Sequence, residues 1–429
     1  MINPHPNPPT GEEAEKSSFF LLAQRHADRT ARWAVVALGF SIPVSVALDN
    51  LLVVLLLLFW LAGGRYREKL AAIRGNPVAL LACAFFALYA AGALYSVGSR
   101  GDVLYMLDKA SIFLLLAVLI SIVPAGRTGD WALQAFMAAI LVTLVLSFLV
   151  WCGFIVGNQL IKGEAGNAVV FKYHITHSLL MAFAAFLFAV RARCATARNT
   201  RFLYSTIAAL AAFNVLFMVQ GRTGQLVLLA LLFYYLFWCL RWRGLLIAVI
   251  IGMLTGSIAY FTPSSTLHQR TALALREIGK WQPAEASTTS IGQRLEFYRN
   301  SLKIVREHPL LGVGTGGFPA AYARQVEGTA MGATRNPHNE YLMVTVQLGL
   351  IGLALLLALF WMQWRLAARL PASESPAMAR GLVITIAVAS LVSSTLIDHA
   401  EGLFFVWMSG VLFAGLGHPV HQHAATTAA

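Results

Sequence analysis

The sequence predicts an all-α fold, a polytopic membrane helical bundle of about twelve transmembrane helices with one long helical loop. Composition is the first reason. Of 429 residues, 58% are hydrophobic and 12% charged, with a mean hydropathy of +0.68. A water-soluble domain carries roughly 25% charged residues. The second reason is distribution. Apolar runs follow one another along the whole chain, each long enough, or nearly so, for a hydrocarbon core about 30 Å thick.

Those runs are Trp33–Pro43, Ala47–Gly63, Pro77–Ser96, Leu104–Val123, Trp131–Val156 and Val170–Val190. Six more are Phe202–Val219, Gly224–Leu240, Gly244–Phe261, Tyr341–Trp364, Gly381–Leu396 and Gly402–Leu416. The first two are short, with Asp49 and Asn50 at their junction, and one broken helix there would invert everything downstream. Charge decides between the counts. With twelve spans, one side collects Arg65, Arg67, Lys69, Arg74, Arg127, the arginines from Arg191 to Arg201, Arg241, Arg243, Arg365, Arg369 and Arg380. The short loops opposite hold only Arg100, Lys162, Lys172 and Arg222. That is the positive-inside pattern, which an eleven-span count breaks repeatedly. The net charge of +13 is therefore read as topology and not as a nucleic-acid footprint.

The expected organisation is a cytoplasmic tail over 1–32, nine spans within 33–261, an outward loop over 262–337, three spans within 338–418 and a cytoplasmic tail over 419–429. The polar first thirty residues carry no apolar core of a signal peptide, so none is expected to be removed. Cys83, Cys152, Cys194 and Cys239 show neither metal-ligand spacing nor a disulfide framework.

Within the long loop, the stretch from Gly292 to Pro309 sets Leu295, Tyr298, Leu302 and Val305 at helical spacing. It predicts an amphipathic helix resting on the bundle, with the membrane surface as one place for it, and stopped by Pro309. Gly312–Phe318, rich in glycine, reads as a flexible turn.

The outward ends of the spans carry the chemistry. Ionisable groups near a bundle interior usually have partners or tasks, since an Arg at a helix centre costs about 2.5–3.5 kcal/mol on insertion scales. In Gly221-Arg222-Thr223-Gly224 the glycines allow a tight turn around a single charge. Arg222 is either a snorkelling side chain or a guanidinium set against an anion, whose planar fork suits phosphate. Arg294 is either a solvated face charge or a second such group. In Asn336-Pro337-His338-Asn339-Glu340-Tyr341, His338 sits at a helix entry with Glu340 two residues on. It either caps the helix or serves as a base, since a neutral imidazole can take a proton from a hydroxyl.

His174 and His177 share a face at i and i+3, read as hydrogen bonding in preference to metal ligation because no acidic third ligand follows. Asp398, His399 and Glu401 occupy the last outward turn. Lys109 either pairs with adjacent Asp108 or faces the site. The sequence has no P-loop, no GxGxxG after a strand, no HExxH and no Asp-x-Asp pair, which argues against ATP-driven pumping and nucleotide-sugar chemistry.

Four blocks in order resemble the O-antigen ligase family, which also contains O-antigen polymerases and protein O-oligosaccharyltransferases. They are Gly221–Gly224, Gly292–Leu295 with Tyr298, His308–Gly314 and Asn336–Leu342. Gly349 and Gly352 after His338-Asn339, a short C-terminal end and a single large loop point to the ligase branch. The resemblance implies transfer of a preassembled glycan from undecaprenyl diphosphate to a sugar hydroxyl of lipid A-core, on the periplasmic face of a bacterial inner membrane. It implies His338 as catalytic base and Arg222 with Arg294 on the donor diphosphate. Supporting positions are Gly221, Thr223, Asn339, Glu340, Tyr298, His174, Lys109 and Asp398. No cofactor, metal or nucleic acid is expected; membrane lipids are. The alternatives are a polymerase of the same family and a polysaccharide-lipid transporter, which would place ionisable groups near mid-span.

Overall fold

A computed structural model describes residues 11–123, 126–158, 161–164, 166–261, 290–329, 331–371 and 373–416. The first part of the long loop, 262–289, and most of the two expected tails' outer ends, 1–10 and 417–429, lie outside the described residues.

The described chain is helical. In order the helices are α1 (Gly11–Ser41), α2 (Val46–Ala62), α3 (Tyr66–Arg74), α4 (Pro77–Gly92), α5 (Arg100–Ala110), α6 (Ile112–Ile122), α7 (Arg127–Trp151) and α8 (His174–Cys194). They continue as α9 (Arg198–Phe213), α10 (Arg222–Leu240), α11 (Trp242–Phe261), α12 (Ser290–Glu307), α13 (Phe318–Val326), α14 (Glu340–Ala367), α15 (Ser375–Ala389) and α16 (His399–Phe413).

Local chemistry sets several starts. The Asn76 side chain accepts from the Val78 amide at 3.0 Å, Pro77 follows at the first helical position, and α4 begins. Asn76 also donates to the Phe413 carbonyl at 2.9 Å, tying that start to the end of α16. The last span is the most enclosed, 83% of its apolar window being buried inside the protein. Its Trp407 indole donates to the Val35 carbonyl at 2.9 Å, so a large ring is buried with its one polar atom satisfied. The spans 198–218 and 222–240 are buried over 22% of their windows, leaving most of their apolar surface for lipid.

Among the described residues eight helices are long and apolar enough to cross a membrane, and nine if the bent pair α2–α3 is one span. That count, by length and composition, falls short of the expected twelve. The difference has physical causes. The Trp33–Pro43 run is only the end of a longer, largely polar α1, and α2 turns by 115° into α3. The apolar part of α11 (Trp242–Leu254) and α15 are helices too short to qualify.

The longest span, α14, is broken. Gly349 adopts φ 64° and ψ −165° inside it. A break in a span frees backbone donors and acceptors where no water can satisfy them. The segment after α12 answers that need. The Leu350 amide donates to the Pro309 carbonyl at 2.8 Å, and the Val313 and Gly314 amides donate to the Val346 and Gln347 carbonyls at 2.8 and 2.9 Å. The Gln347 side chain accepts from the Gly316 amide at 2.5 Å. Gly312, Gly314 and Gly316 all have positive φ, of 68°, 87° and 72°. The expected flexible turn is therefore a buried strap: Val313 to Phe318 are all buried, pressed between α14 and the end of α4. Thr315 completes it, donating through its hydroxyl to the Tyr89 carbonyl at 2.6 Å and through its amide to Gly92 at 3.1 Å.

The expected loop helix is present as α12, ending just before Pro309. Its buried side is largely polar. Glu296, Asn300, Ser301 and Ile304 are buried, while Leu295 and Leu302 are 36% and 48% exposed. Burial of the polar side is possible because Glu296 is met by Arg299 and Asn300, each at 3.3 Å. Leu310 and Leu311 extend the exposed apolar strip.

Gly349→Ala is expected to cost at least about 1–3 kcal/mol, since the left-handed backbone disfavours a side chain and a Cβ there would meet the Leu310 carbonyl. Thermal unfolding in detergent reads it; an unchanged Tm would mean that the break is not held in place by the strap.

Candidate active site

Three elements converge at the end of the bundle where α8, α10, α14 and α16 begin. The first is the Gly221–Gly224 turn. A Cβ on Gly221 or on Gly224 would run into Ser178 of α8, so both glycines are required by close approach. Thr223 is buried beside them, and Arg222, the first residue of α10, remains exposed. The His174 side chain is exposed one turn before Ser178, and its carbonyl lies against Gly221. His177 does not join it. That ring is buried, with its two nitrogens facing the Asn214 side chain at 3.2 Å and the Val170 amide at 3.4 Å. The pair thus divides into one structural and one exposed histidine.

The second element is α12, which carries Arg294 and Tyr298. Burial pushes the Arg294 guanidinium below its ordinary value; Tyr298 opposes that shift and Arg222 adds to it. Arg222 and Arg294, distant in sequence, are therefore electrostatic neighbours.

The third element is the turn into α14. His338 has φ 54°, a left-handed conformation uncommon for any residue but glycine. The Asn336 side chain accepts from the His338 amide at 2.7 Å and from the Ser394 hydroxyl at 2.7 Å. The Tyr298 hydroxyl is shared between the carbonyls of His338, at 3.2 Å, and Leu391, at 3.0 Å. The Phe297 ring stacks on the imidazole with centroids 6.1 Å apart. Helix capping falls to Asn339, which accepts from the Leu342 amide at 2.9 Å and donates to the Leu391 carbonyl at 3.0 Å. His338 is thus not the cap, and among the described residues its ring nitrogens have no hydrogen-bond partner. Burial first, and Arg294 second, hold its imidazole below the ordinary histidine value.

Glu340 is fully enclosed and accepts from the Leu396 amide at 2.9 Å, while its own amide donates to the Ser390 carbonyl at 2.9 Å. It clamps the 390–398 turn between α15 and α16 against the histidine turn. At the far side of that clamp, burial pushes the Asp398 carboxyl up and Lys109 draws it back down. Lys109 also lies over the Tyr105 ring, 5.4 Å from its centroid. Among the described residues it forms no ion pair with Asp108, the partner that adjacency suggested.

Residues 207–357 match the model of the O-antigen ligase family, Wzy_C. Members of that family are lipid-linked glycan transferases, and all four sequence blocks fall within the matched stretch. An uncharacterized protein of Haemophilus influenzae is 31% identical over 111 residues, which are 25% of this chain and 27% of that protein, so the chain spans about a quarter of the curated relative it matches. A chain from a solved structure described as "Structural coordination of polymerization and crosslinking by a peptidoglycan synthase complex" superposes with a TM-score of 0.46 at 15% identity. That match covers 79% of this chain and 96% of that one.

The residues that sequence reasoning passed over among those that hold the histidine are Phe297 and Ser394, while Asn336 was named in the motif without its role. A second missed feature is the buried Lys172–Asp49 pair at 3.4 Å, with Asp49 also accepting from the Ser41 hydroxyl at 2.6 Å and lying 3.9 Å from His399. Its signal was a lone Asp inside an apolar run.

Asn339→Ala removes both a helix cap and a cross-turn bond. It is expected to cost about 1–2 kcal/mol, with Asn339→Asp, which keeps the cap, losing less. Chemical or thermal unfolding of the two variants side by side checks the order; an equal loss would assign the effect to the Leu391 bond.

Proposed function

We propose that this protein is an O-antigen ligase. It transfers a preassembled glycan from undecaprenyl diphosphate to a sugar hydroxyl of lipid A-core on the periplasmic face of the inner membrane, with inversion at the anomeric carbon. The observation that carries the reading is the neighbourhood of Arg222, Arg294 and His338: two arginines and an imidazole that burial and Arg294 hold below its ordinary value, at one end of the bundle. The family match supports a lipid-linked glycan as donor.

His338 removes the proton from the acceptor hydroxyl as its oxygen forms a bond to the anomeric carbon. The bond from that carbon to the diphosphate oxygen breaks, and the electron pair leaves with undecaprenyl diphosphate. Arg222 and Arg294 stabilise the charge that grows there, where preorganised donors act most strongly. The depressed basicity of His338 is useful, because the imidazole stays unprotonated and competent as a base. Tyr298, Asn336 and Phe297 fix its position, and Glu340 with Asn339 fixes the turn that carries it. Gly221 and Thr223 seat Arg222, while His174, Lys109 and Asp398 line the approach as supporting groups.

His338→Ala is expected to lower ligation by about 10²–10⁴-fold while leaving the protein folded. Arg222→Lys is expected to lose far more than its unchanged charge would suggest, because the bidentate fork is gone. Both are read with purified protein, undecaprenyl-diphosphate glycan and rough lipopolysaccharide. EDTA in the same assay should leave the rate unchanged; loss that only added metal reverses would refute charge stabilisation by arginine. Expression in a strain lacking its own ligase separates the branches: smooth lipopolysaccharide identifies a ligase, longer unattached chains a polymerase.

The pH profile carries a further expectation. Because the His338 pKa is lowered, the base is lost only as pH falls below the ordinary histidine value of about 6.5. The acid limb of kcat/KM should therefore lie below that pH. In Arg294→Gln the residual activity should show that limb shifted to higher pH, since a neighbouring positive charge is removed. A limb that stays in place would separate Arg294 from the histidine.

A further inference from the structure

We propose that the opposite end of the bundle holds a binding pocket for a phosphate group, and that a phospholipid headgroup of the adjoining leaflet supplies it. This inference is independent of the transferase reading. The pocket lies at the far end of α2 from Asp49, about 20 Å away along the helix from Asp49 to Ala62.

There α1, the α2–α3 bend and the end of α6 enclose a cavity of about 240 Å³, lined by Asp28, Arg32, Arg65, Glu68, Lys69 and Ser121. Three cations face two carboxylates. The carboxylates are committed elsewhere. Asp28 takes Arg65 at 2.5 Å and Lys69 at 3.3 Å, and Glu68 takes the other arm of Arg65 at 3.2 Å. Lys69 is buried, donates to the Trp60 carbonyl at 2.6 Å and lies against the Trp60 and Tyr66 rings. Ser121 is occupied as well, accepting from the Trp60 indole at 2.9 Å and donating to Val118 at 2.7 Å.

Arg32 is left over. Its Nε is buried with no hydrogen-bond partner, and among the described residues it enters no ion pair. Arginine cannot shed its proton in a protein, so a buried guanidinium N–H without an acceptor is costly. Arg32 is among the residues that line the cavity, where an acceptor for its guanidinium fits. A phosphate offers several acceptor oxygens and a negative charge to a planar donor fork.

The surroundings favour a lipid as the source. The chain builds the pocket through two consecutive left-handed residues, Gly64 at φ 58° and Arg65 at φ 47°. A Cβ on Gly63 would meet Asp28. This bend sends α3 off at 115° to α2, with Tyr66 and Leu70 exposed on it by 53% and 43%. A short helix leaving a span with an exposed Tyr and Leu beside arginines has the character of an interfacial helix, at the depth of lipid headgroups. At about 30 Å³ per water, the cavity has room for a phosphodiester and its glycerol.

Native mass spectrometry of the full chain in micelles containing phosphatidylglycerol, or phosphatidylcholine instead, tests the proposal. Arg32→Gln and Arg32→Lys are compared with Arg67→Gln, a control on the neighbouring α3. Wild type and Arg67→Gln should retain one phosphatidylglycerol under conditions that strip phosphatidylcholine. Arg32→Gln should retain it about fivefold less or worse, with Arg32→Lys between. In a second arm, inorganic phosphate is compared with chloride at equal ionic strength by thermal unfolding. A phosphate-specific rise in Tm that requires Arg32, without a lipid adduct, keeps the phosphate site and overturns the lipid as its source. Equal phosphatidylglycerol retention by wild type and Arg32→Gln overturns the pocket. So does a wild-type protein with neither adduct nor phosphate response, whatever the variants' folding.

Discussion

The break in α14 governs the architecture around the site. A span interrupted at Gly349 leaves amides and carbonyls exposed in a medium that offers them nothing, and the strap from Pro309 to Gly317 is the means by which they are satisfied. Because the strap must reach α14 with its own backbone, it is built on glycines in left-handed conformations and lies too close for side chains. Because it follows directly on α12, it also fixes where that helix can lie, and with it Arg294, Tyr298 and Phe297. One unmet hydrogen-bonding demand inside the membrane thereby sets the geometry of groups at its surface.

The site itself is held by polar contacts between turns, with few of its members on a single helix. Asn336 grips the backbone of His338, Glu340 grips the 390–398 turn, and Tyr298 joins the two through Leu391. Each clamp uses a backbone group that would otherwise be unpaired at a helix end. This explains why a histidine can sit at φ 54° in the absence of glycine's freedom: the surrounding bonds over-determine it.

Much of the fold was legible in the sequence because hydropathy and helix-ending residues act locally. Pro77, Asn76 and Pro309 stand where the helices start or stop. Which apolar runs form full-length helices was not legible, since such a run does not reveal that α3 leaves α2 at 115° or that α15 is only 15 residues long. Which face of α12 is buried was not legible for a related reason. Helical spacing marks which residues align, but Glu296 is satisfied by Arg299 and Asn300 of its own helix, so the polar side can face inward and the leucines outward. Of the candidate site, the charged and titratable members could be named from their motifs. The groups that hold them, such as Ser178 beneath Gly221 and Leu391 beneath Tyr298, come from distant segments and carry no signal of their own.

The strap also has a consequence for biogenesis. It joins α4, made early, to α14, made more than two hundred residues later, through Tyr89, Gly92 and Thr315. Until the ribosome has delivered that late segment, the C-terminal end of α4 lacks its lid and α14 does not yet exist to be bent. The helices can enter the bilayer one after another, but this corner of the protein closes only after most of the chain has been synthesised.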